Sequence, residues 1–152
     1  FLGGRAWQRY PVSTIMAAAL PSHLTFFNDL RELPDDLVAP VREWLDFYKA
    51  HSDAFAQTIY PLLADPASDE WTALQSWNPE AGRGALLTFR QKGEAGTTTV
   101  PLRNVPPGRT FDVYEAPTNT FIGTYTSAQL SSGLSVTLPT DGASVLLITL
   151  HA

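Results

Sequence analysis

Three polar side chains beside a short apolar stretch are the first candidates for chemistry in this sequence. His23, Asn28 and Asp29 flank residues 24–27, which read Leu-Thr-Phe-Phe. An imidazole can exchange protons near neutral pH, and amide and carboxylate groups can hydrogen-bond sugar hydroxyls. Barrel enzymes keep such groups directly after a buried strand. The pattern therefore predicts a substrate-binding rim, with a turn or cap (Asn28, Asp29) and a structural histidine (His23) as the alternative.

Two tryptophans form the second candidate site. Trp71 and Trp77 are six positions apart on one predicted strand, so both face the same side of the sheet. Indole rings can stack on the C–H face of a pyranose ring, which would make the pair a sugar-binding platform. More often such residues are buried and fill the seam between a sheet and the helices that cover it.

Other catalytic signatures are missing from the sequence. There is no glycine-rich phosphate loop, no nucleophile elbow and no paired-histidine zinc helix. The absence of cysteine excludes disulfides and thiolate metal sites, and it leaves the cellular compartment undetermined. His23, His51 and His151 are too dispersed to indicate a metal site. The sequence thus predicts no catalytic residue, no metal and no cofactor.

The elements that must position these candidates differ between the two parts of the chain. Residues 11–20 begin with proline and are apolar nearly all round, which predicts a helix buried on more than one side. Residues 24–27 predict a short buried strand, with a continuation of the helix as the alternative. A second helix, with Pro40 interrupting its early turns, is predicted by apolar residues that recur on one face, namely Leu37, Val41, Trp44, Leu45 and Tyr48. Residues 1–57 are therefore expected to form a helical segment.

Residues 58–152 show the pattern of β-strands, which are short runs of residues separated by turns. Turn residues such as Gly, Pro and Asn separate short apolar or alternating runs. Seven strands are predicted, at 71–77, 84–91, 97–104, 110–115, 121–126, 134–138 and 145–151. Residues 59–63 are the eighth candidate, which Pro61 would confine to a sheet edge. The predicted fold class is α+β, a helical segment followed by an antiparallel β-sandwich.

The amino-acid composition limits the classes of partner that this chain is expected to have. An apolar fraction of 44% is enough for a core, whereas charged residues make up only 16%, below the usual quarter, so other chain is expected to cover part of the surface. The net charge of −5 without a basic run argues against nucleic acid and anionic membranes as partners. No apolar run approaches the roughly 20 residues that cross a bilayer. The start at Phe1, without a signal segment, indicates a processed product or an excised piece.

The order of these residues resembles a known family of enzymes. The helix at 11–20, the segment LPSHLTFFNDL (20–30) and the helix at 37–48 are similar to the last strand and last helix of a glycosidase (β/α)₈ barrel. The segments WTALQSW (71–77), GALLTFR (84–90), GTYTSAQL (123–130) and GLSVTL (133–138) are similar to the C-terminal β-sandwich of the alpha-galactosidase (melibiase) type and its alpha-glucosidase relatives.

The resemblance implies a supporting role. Retaining enzymes of this clan use two carboxylates, roughly 5–5.5 Å apart, on barrel strands that precede anything present here. No Asp or Glu of this chain matches either, so neither role is assigned. The resemblance implies the C-terminal region of a retaining alpha-glycosidase, with the rest of the barrel as partner and carbohydrate as ligand. The alternative is a carbohydrate-binding or structural β-sandwich module without catalysis.

Overall fold

A computed structural model describes residues 6–22, 24–26, 30–63, 70–93 and 96–152. The helices in these residues are α1 (Ala6–Arg9), α2 (Val12–Ala19), α3 (Asp35–Phe55) and α4 (Ser127–Ser132), with a 3₁₀ turn at Leu30–Glu32. The strands are β1 (Thr58–Pro61), β2 (Trp71–Asn78), β3 (Arg83–Arg90), β4 (Thr97–Val100), β5 (Thr110–Glu115), β6 (Thr120–Thr126), β7 (Leu134–Thr137) and β8 (Ala143–Leu150).

The strands form two antiparallel sheets. The larger sheet has the order β1-β2-β3-β8-β5-β6, and the smaller one pairs β4 with β7. The apolar strand β8 lies inside the larger sheet, and β1 with Pro61 lies at its edge, as their sequences predict. The predicted mixture of helices and antiparallel sheets, consistent with a β-sandwich, is confirmed.

One hydrophobic core lies between the helices and the larger sheet. Helix α2 packs against β8 and helix α3 packs against β2 and β3. Ile15 is 8% exposed and Trp44 is 4% exposed, and both belong to a cluster that includes Leu87 and Leu147. The low fraction of charged residues led us to expect that other chain would cover part of the surface. That expectation is wrong for Ile15 and Trp44, because the chain's own sheet covers them.

A second core lies between the two sheets. Trp77 and Phe111 are its largest fully buried members, with ring centroids 5.7 Å apart. Successive residues of β3 serve different cores, since Leu86 belongs to this cluster while Ala85 and Leu87 belong to the helix-covered one. The continuous apolar run of β3 follows from its burial on both faces.

Helix α3 bends at a position that the sequence does not mark. Pro40 lies within the early turns without ending the helix, whereas His51 has non-helical dihedral angles (φ −131°, ψ 19°) and marks a kink. We expected the irregularity at Pro40. Pro40 is the sixth residue of the helix, so it removes a single intrahelical hydrogen bond, the one to the backbone oxygen of Asp36, and the helix continues past it.

Three further elements differ from the sequence prediction. Of the strand expected at 24–27, the described residues show a single bridge at Phe26, and residue 27 lies outside them. The strand expected at 97–104 ends at Val100. Helix α4 was not expected; it is closed by a capping box, in which Thr126 Oγ1 accepts from Gln129 N at 3.3 Å and Thr126 N donates to Gln129 Oε1 at 2.8 Å.

Candidate functional site

The predicted substrate-binding rim falls outside the described residues. His23, Asn28 and Asp29 all lie in gaps of the described ranges. Pro21 and Ser22, which precede His23 in the sequence, line a cleft beside helix α2. The role of the three polar side chains therefore stays a prediction.

The two candidate tryptophans are both buried between the sheets. Trp71 is 8% exposed and Trp77 is 1% exposed. Trp77 also donates from Nε1 to the backbone oxygen of Asn104 at 3.1 Å. Neither indole offers a ring face to a sugar, so the arrangement does not support a stacking platform. The tryptophans do fill a core, but it is the seam between the two sheets, and not the seam with the helices.

The same core explains why β4 is shorter than expected. Gln75, which is fully buried, donates to the backbone oxygen of Arg103 at 2.9 Å and accepts from its backbone nitrogen at 2.8 Å. Together with the bond from Trp77 to Asn104, these contacts satisfy backbone groups that a strand would otherwise pair. At residues 103 and 104, hydrogen bonds from side chains of β2 thus replace the backbone hydrogen bonds of a strand pair.

One candidate ligand space is a cleft between helix α2 and the helix-covered face of β2 and β3, which we call the α2 cleft. Its volume is about 790 Å³. Its lining includes the rings of Tyr10 and Phe89, the aliphatic side chain of Leu74 and the hydroxyl groups of Thr14 and Thr72. Thr14 Oγ1 donates to the backbone oxygen of Asp141 at 2.6 Å, which joins the helix to the loop before β8.

Four residues with charged side chains border the α2 cleft, namely Arg9, Arg90, Lys92 and Asp141. Arg90 donates from Nη1 to the backbone oxygen of Leu138 at 2.8 Å and from Nη2 to that of Gly93 at 2.6 Å. Arg90 pairs with Trp71 and lies on the same side of β3 as Leu86, so its guanidinium points to the core between the sheets and away from the α2 cleft.

A polar cluster at the α3 kink joins that helix to β3. Arg83 Nη2 lies 2.8 Å from His51 Nδ1, and Arg83 Nη1 lies 3.2 Å from Asp53 Oδ2. A guanidinium can only donate, so Nδ1 of His51 must be the acceptor and the ring must be neutral in this contact. Burial, and then the charge of Arg83, lower the pKa of His51, which favours that neutral form. The cluster is a structural tie between helix and sheet.

An imidazole–carboxylate pair lies on the larger sheet. Asp112 on β5 accepts from Thr124 Oγ1 at 2.7 Å and lies 2.9 Å from His151 Nδ1. The hydrogen bond from Thr124, followed by the one from His151, lowers the pKa of Asp112 below its ordinary value of 3.8. The arrangement stabilises the ionised carboxylate and links β5, β6 and the end of β8.

The contact between Asp112 and His151 makes the free energy of unfolding depend on pH in the acid range. A carboxyl group whose native pKa is lowered contributes stability above its ordinary pKa, and the contribution is lost as the pH falls through the native value. In urea titrations between pH 6 and pH 2, we expect Asp112→Asn to show a shallower loss of unfolding free energy below pH 4 than the unmodified chain. Asp46→Asn, at an exposed helical ion pair with Lys49, is the control. Identical acid profiles for Asp112→Asn and the unmodified chain would contradict this account.

Two classes of site are not found in the described part of the chain. No cluster of three or more His, Cys, Asp or Glu side chains is placed to hold a metal ion among those residues. None of the helices described has the combined length and apolar character that crossing a bilayer requires.

Comparison with solved structures shows where this fold occurs. The GH36 alpha-galactosidase AgaB from Geobacillus stearothermophilus matches with a TM-score of 0.78 and 15% identity, over 99% of this chain and 20% of that chain. An alpha-galactosidase from Lactobacillus brevis matches with a TM-score of 0.73 and 17% identity, over 90% and 20%. A candidate alpha-N-acetylgalactosaminidase from Bacillus halodurans matches with a TM-score of 0.68 and 14% identity, over 93% and 33%.

These matches establish a shared fold. No protein-family model matches the sequence, and no curated protein matches it. The chain spans between a fifth and a third of the structures named above. The predicted resemblance to the C-terminal part of alpha-galactosidase-type glycoside hydrolases is confirmed at the level of the fold.

Proposed function

We propose that this chain is the C-terminal region of a retaining alpha-galactosidase-like enzyme, with its sandwich supporting the catalytic barrel and residues 1–57 completing that barrel. The observation that carries the proposal is the match over 99% of the chain to a GH36 alpha-galactosidase of which the chain spans 20%.

The contacts of several described carboxylates support a role without catalysis. A retaining glycosidase needs two carboxyl groups roughly 5–5.5 Å apart that face one substrate. Asp46, Asp53 and Asp112 instead each pair with a cation or an imidazole of the chain, and lie on different elements. Catalysis would then reside in the part of the barrel that precedes Phe1.

The outer side of helix α3 is the surface best suited to contact that barrel. A groove of about 570 Å³ runs along it, and its apolar residues (Val38, Ala39, Phe47 and Pro117) are flanked by charged ones (Asp35, Arg42, Glu43 and Asp46). Val38 is 37% exposed, although an apolar side chain on a surface helix gains from burial. The groove therefore offers apolar area to a neighbouring helix of the same barrel.

The turnover of nitrophenyl alpha-galactoside tests the proposal. We expect no turnover by this chain alone and measurable turnover once the natural coding sequence upstream of Phe1 is restored. In that longer protein, Val38→Asp is expected to lower the activity or soluble yield severalfold, because it places a charge in the contact with the barrel.

A matched control distinguishes loss of the contact with the barrel from the general effect of a new charge on the surface. Ile122→Asp, at a 46% exposed position on edge strand β6, should leave the activity unchanged. Turnover by the isolated chain that is lost in Asp29→Ala would overturn the proposal. So would an extended protein that is well folded and inactive on alpha-galactosides and alpha-glucosides.

A further inference from the structure

The bend in helix α3 coincides with a hydrogen bond to the sheet. His51 has non-helical dihedral angles and separates the terminal turn of α3, residues 52–56, from the body of the helix. At the same residue, Nδ1 of the imidazole lies 2.8 Å from Arg83 Nη2 on β3. The ring of His51 also packs against Phe47, one turn earlier, with ring centroids 4.7 Å apart. One side chain therefore contacts both the body of the helix and the sheet at the point where the helix bends.

The hydrogen bond between His51 and Arg83 requires one protonation state of the imidazole. A guanidinium only donates, so the ring accepts through Nδ1 and carries its single proton on Nε2. A second proton would add to Nδ1, the atom that accepts from Arg83. Protonation and this hydrogen bond therefore exclude each other, and an imidazolium at this position would repel the guanidinium.

The other contact of the Arg83 guanidinium is a weaker tie. Nη1 lies 3.2 Å from Asp53 Oδ2, but the side chain of Asp53 is 59% exposed. Exposed ion pairs contribute little to stability. Nε of Arg83 is buried and has no hydrogen-bond partner among the described residues. The bond to the neutral imidazole is thus the main polar contact that this guanidinium makes with α3.

Few charged groups act on His51. Helix α3 packs against α2, β2 and β3, and neither α2 nor β2 contains a charged or titratable residue. Strand β3 contributes Arg83, and α3 itself contributes Asp53. Burial, followed by the charge of Arg83, lowers the pKa of His51 below its ordinary value of 6.5, against the opposite effect of Asp53. The latched form therefore loses stability, relative to a form with a free imidazole, as the pH falls from 6.5 through the native pKa.

We propose that His51, Arg83 and the bend in α3 form an acid-sensitive latch. At neutral pH the imidazole holds the terminal turn on β3, and protonation of Nδ1 by solvent releases it. Ala54 and Phe55 of this turn are buried in the helix-covered core, so the released form exposes apolar area and is a minor state. Acid raises its population, because the free imidazole takes up a proton that the latched one excludes.

Amide hydrogen exchange of the chain measures the release of the terminal turn. Ala56 N donates to the backbone oxygen of Ser52 at 3.2 Å, so the exchange of this amide reports the turn. The protection factor is the ratio of the intrinsic to the measured exchange rate. Between pH 7.5 and pH 5, we expect the protection factor of Ala56 to fall severalfold and those of the amides in β8 to stay unchanged.

Two matched variants assign the effect to His51. In His51→Asn, the amide oxygen can accept from Arg83 and does not titrate, so the protection of Ala56 should no longer depend on pH. His151→Asn removes the imidazole that pairs with Asp112 and should keep the pH dependence of Ala56. In the unmodified chain, an NMR titration of the His51 ring should give a midpoint below pH 6.5.

Several results would overturn the latch. These are a His51 titration at or above pH 6.5, equal protection of Ala56 at both pH values, and an unchanged pH dependence in His51→Asn. An equal loss of protection in β8 would also reject it, because acid would then unfold the whole chain and not release the turn.

Discussion

Gly84→Ala is expected to destabilise the chain by more than about 3 kcal/mol, beyond the usual range for an overpacked core position. A Cβ atom at this position would lie 2.1 Å from the backbone oxygen of Ser76 and 2.7 Å from Cε3 of Trp77. Gly84 pairs with Trp77 on one side and with Ile148 on the other. The strand cannot shift away from β2 without disturbing its ladder with β8.

Urea denaturation followed by tryptophan fluorescence measures this loss. Gly96→Ala is the matched control, because its Cβ would find its nearest neighbour, Arg90 Nη1, at 3.7 Å. The control should change the free energy of unfolding by no more than about 0.5 kcal/mol. If both variants unfold at the same urea concentration, β2 and β3 do not approach each other as closely as the structure shows.

Trp77→Ala is expected to cost about 3–5 kcal/mol, as the truncation of a large buried aromatic side chain does. The substitution empties the centre of the core between the sheets, removes the contact with Phe111 and leaves the backbone oxygen of Asn104 without its donor. A buried acceptor without a partner adds to the cost of the cavity.

The same measurement with calorimetry separates a core role from sugar binding. Phe121→Ala is the control, because Phe121 is 54% exposed on the edge strand β6 and should cost about 1 kcal/mol at most. Galactoside binding, if any, should be unchanged in folded Trp77→Phe. A stability loss below about 1 kcal/mol in Trp77→Ala, together with lost sugar binding, would contradict the buried position of this residue.

The strands were predictable because their signals are local. Turn residues bound each run, and the run of β8, apolar at successive positions, placed it inside the sheet, where it is buried on both faces. The even spacing of Trp71 and Trp77 correctly implied one shared face. Whether that face packs against the helices or against the small sheet depends on the order of strands in the larger sheet. No local sequence pattern shows that order.

Most elements that differ from the sequence prediction depend on contacts between residues that are far apart in the sequence. β4 ends early because Gln75 and Trp77 bond to residues 103 and 104 across 27–28 positions of sequence. The α3 kink lies at His51, whose contact with Arg83 spans 32 positions. Helix α4 was the exception, since Thr126 and Gln129 form a local capping box that the sequence displays. The predicted rim at His23, Asn28 and Asp29 remains a prediction.

The alternation along β3 has a practical consequence for anyone who divides this protein. Leu87, Ala85, Val145 and Leu147 lie under the helices, while Leu86 and Ile148 of the same strands lie under the small sheet. Truncation after Gln57 would expose the apolar face of β3 and β8 that the helices cover. A large exposed apolar face promotes aggregation. The helices and the sandwich are best expressed, purified and crystallised as one inseparable piece.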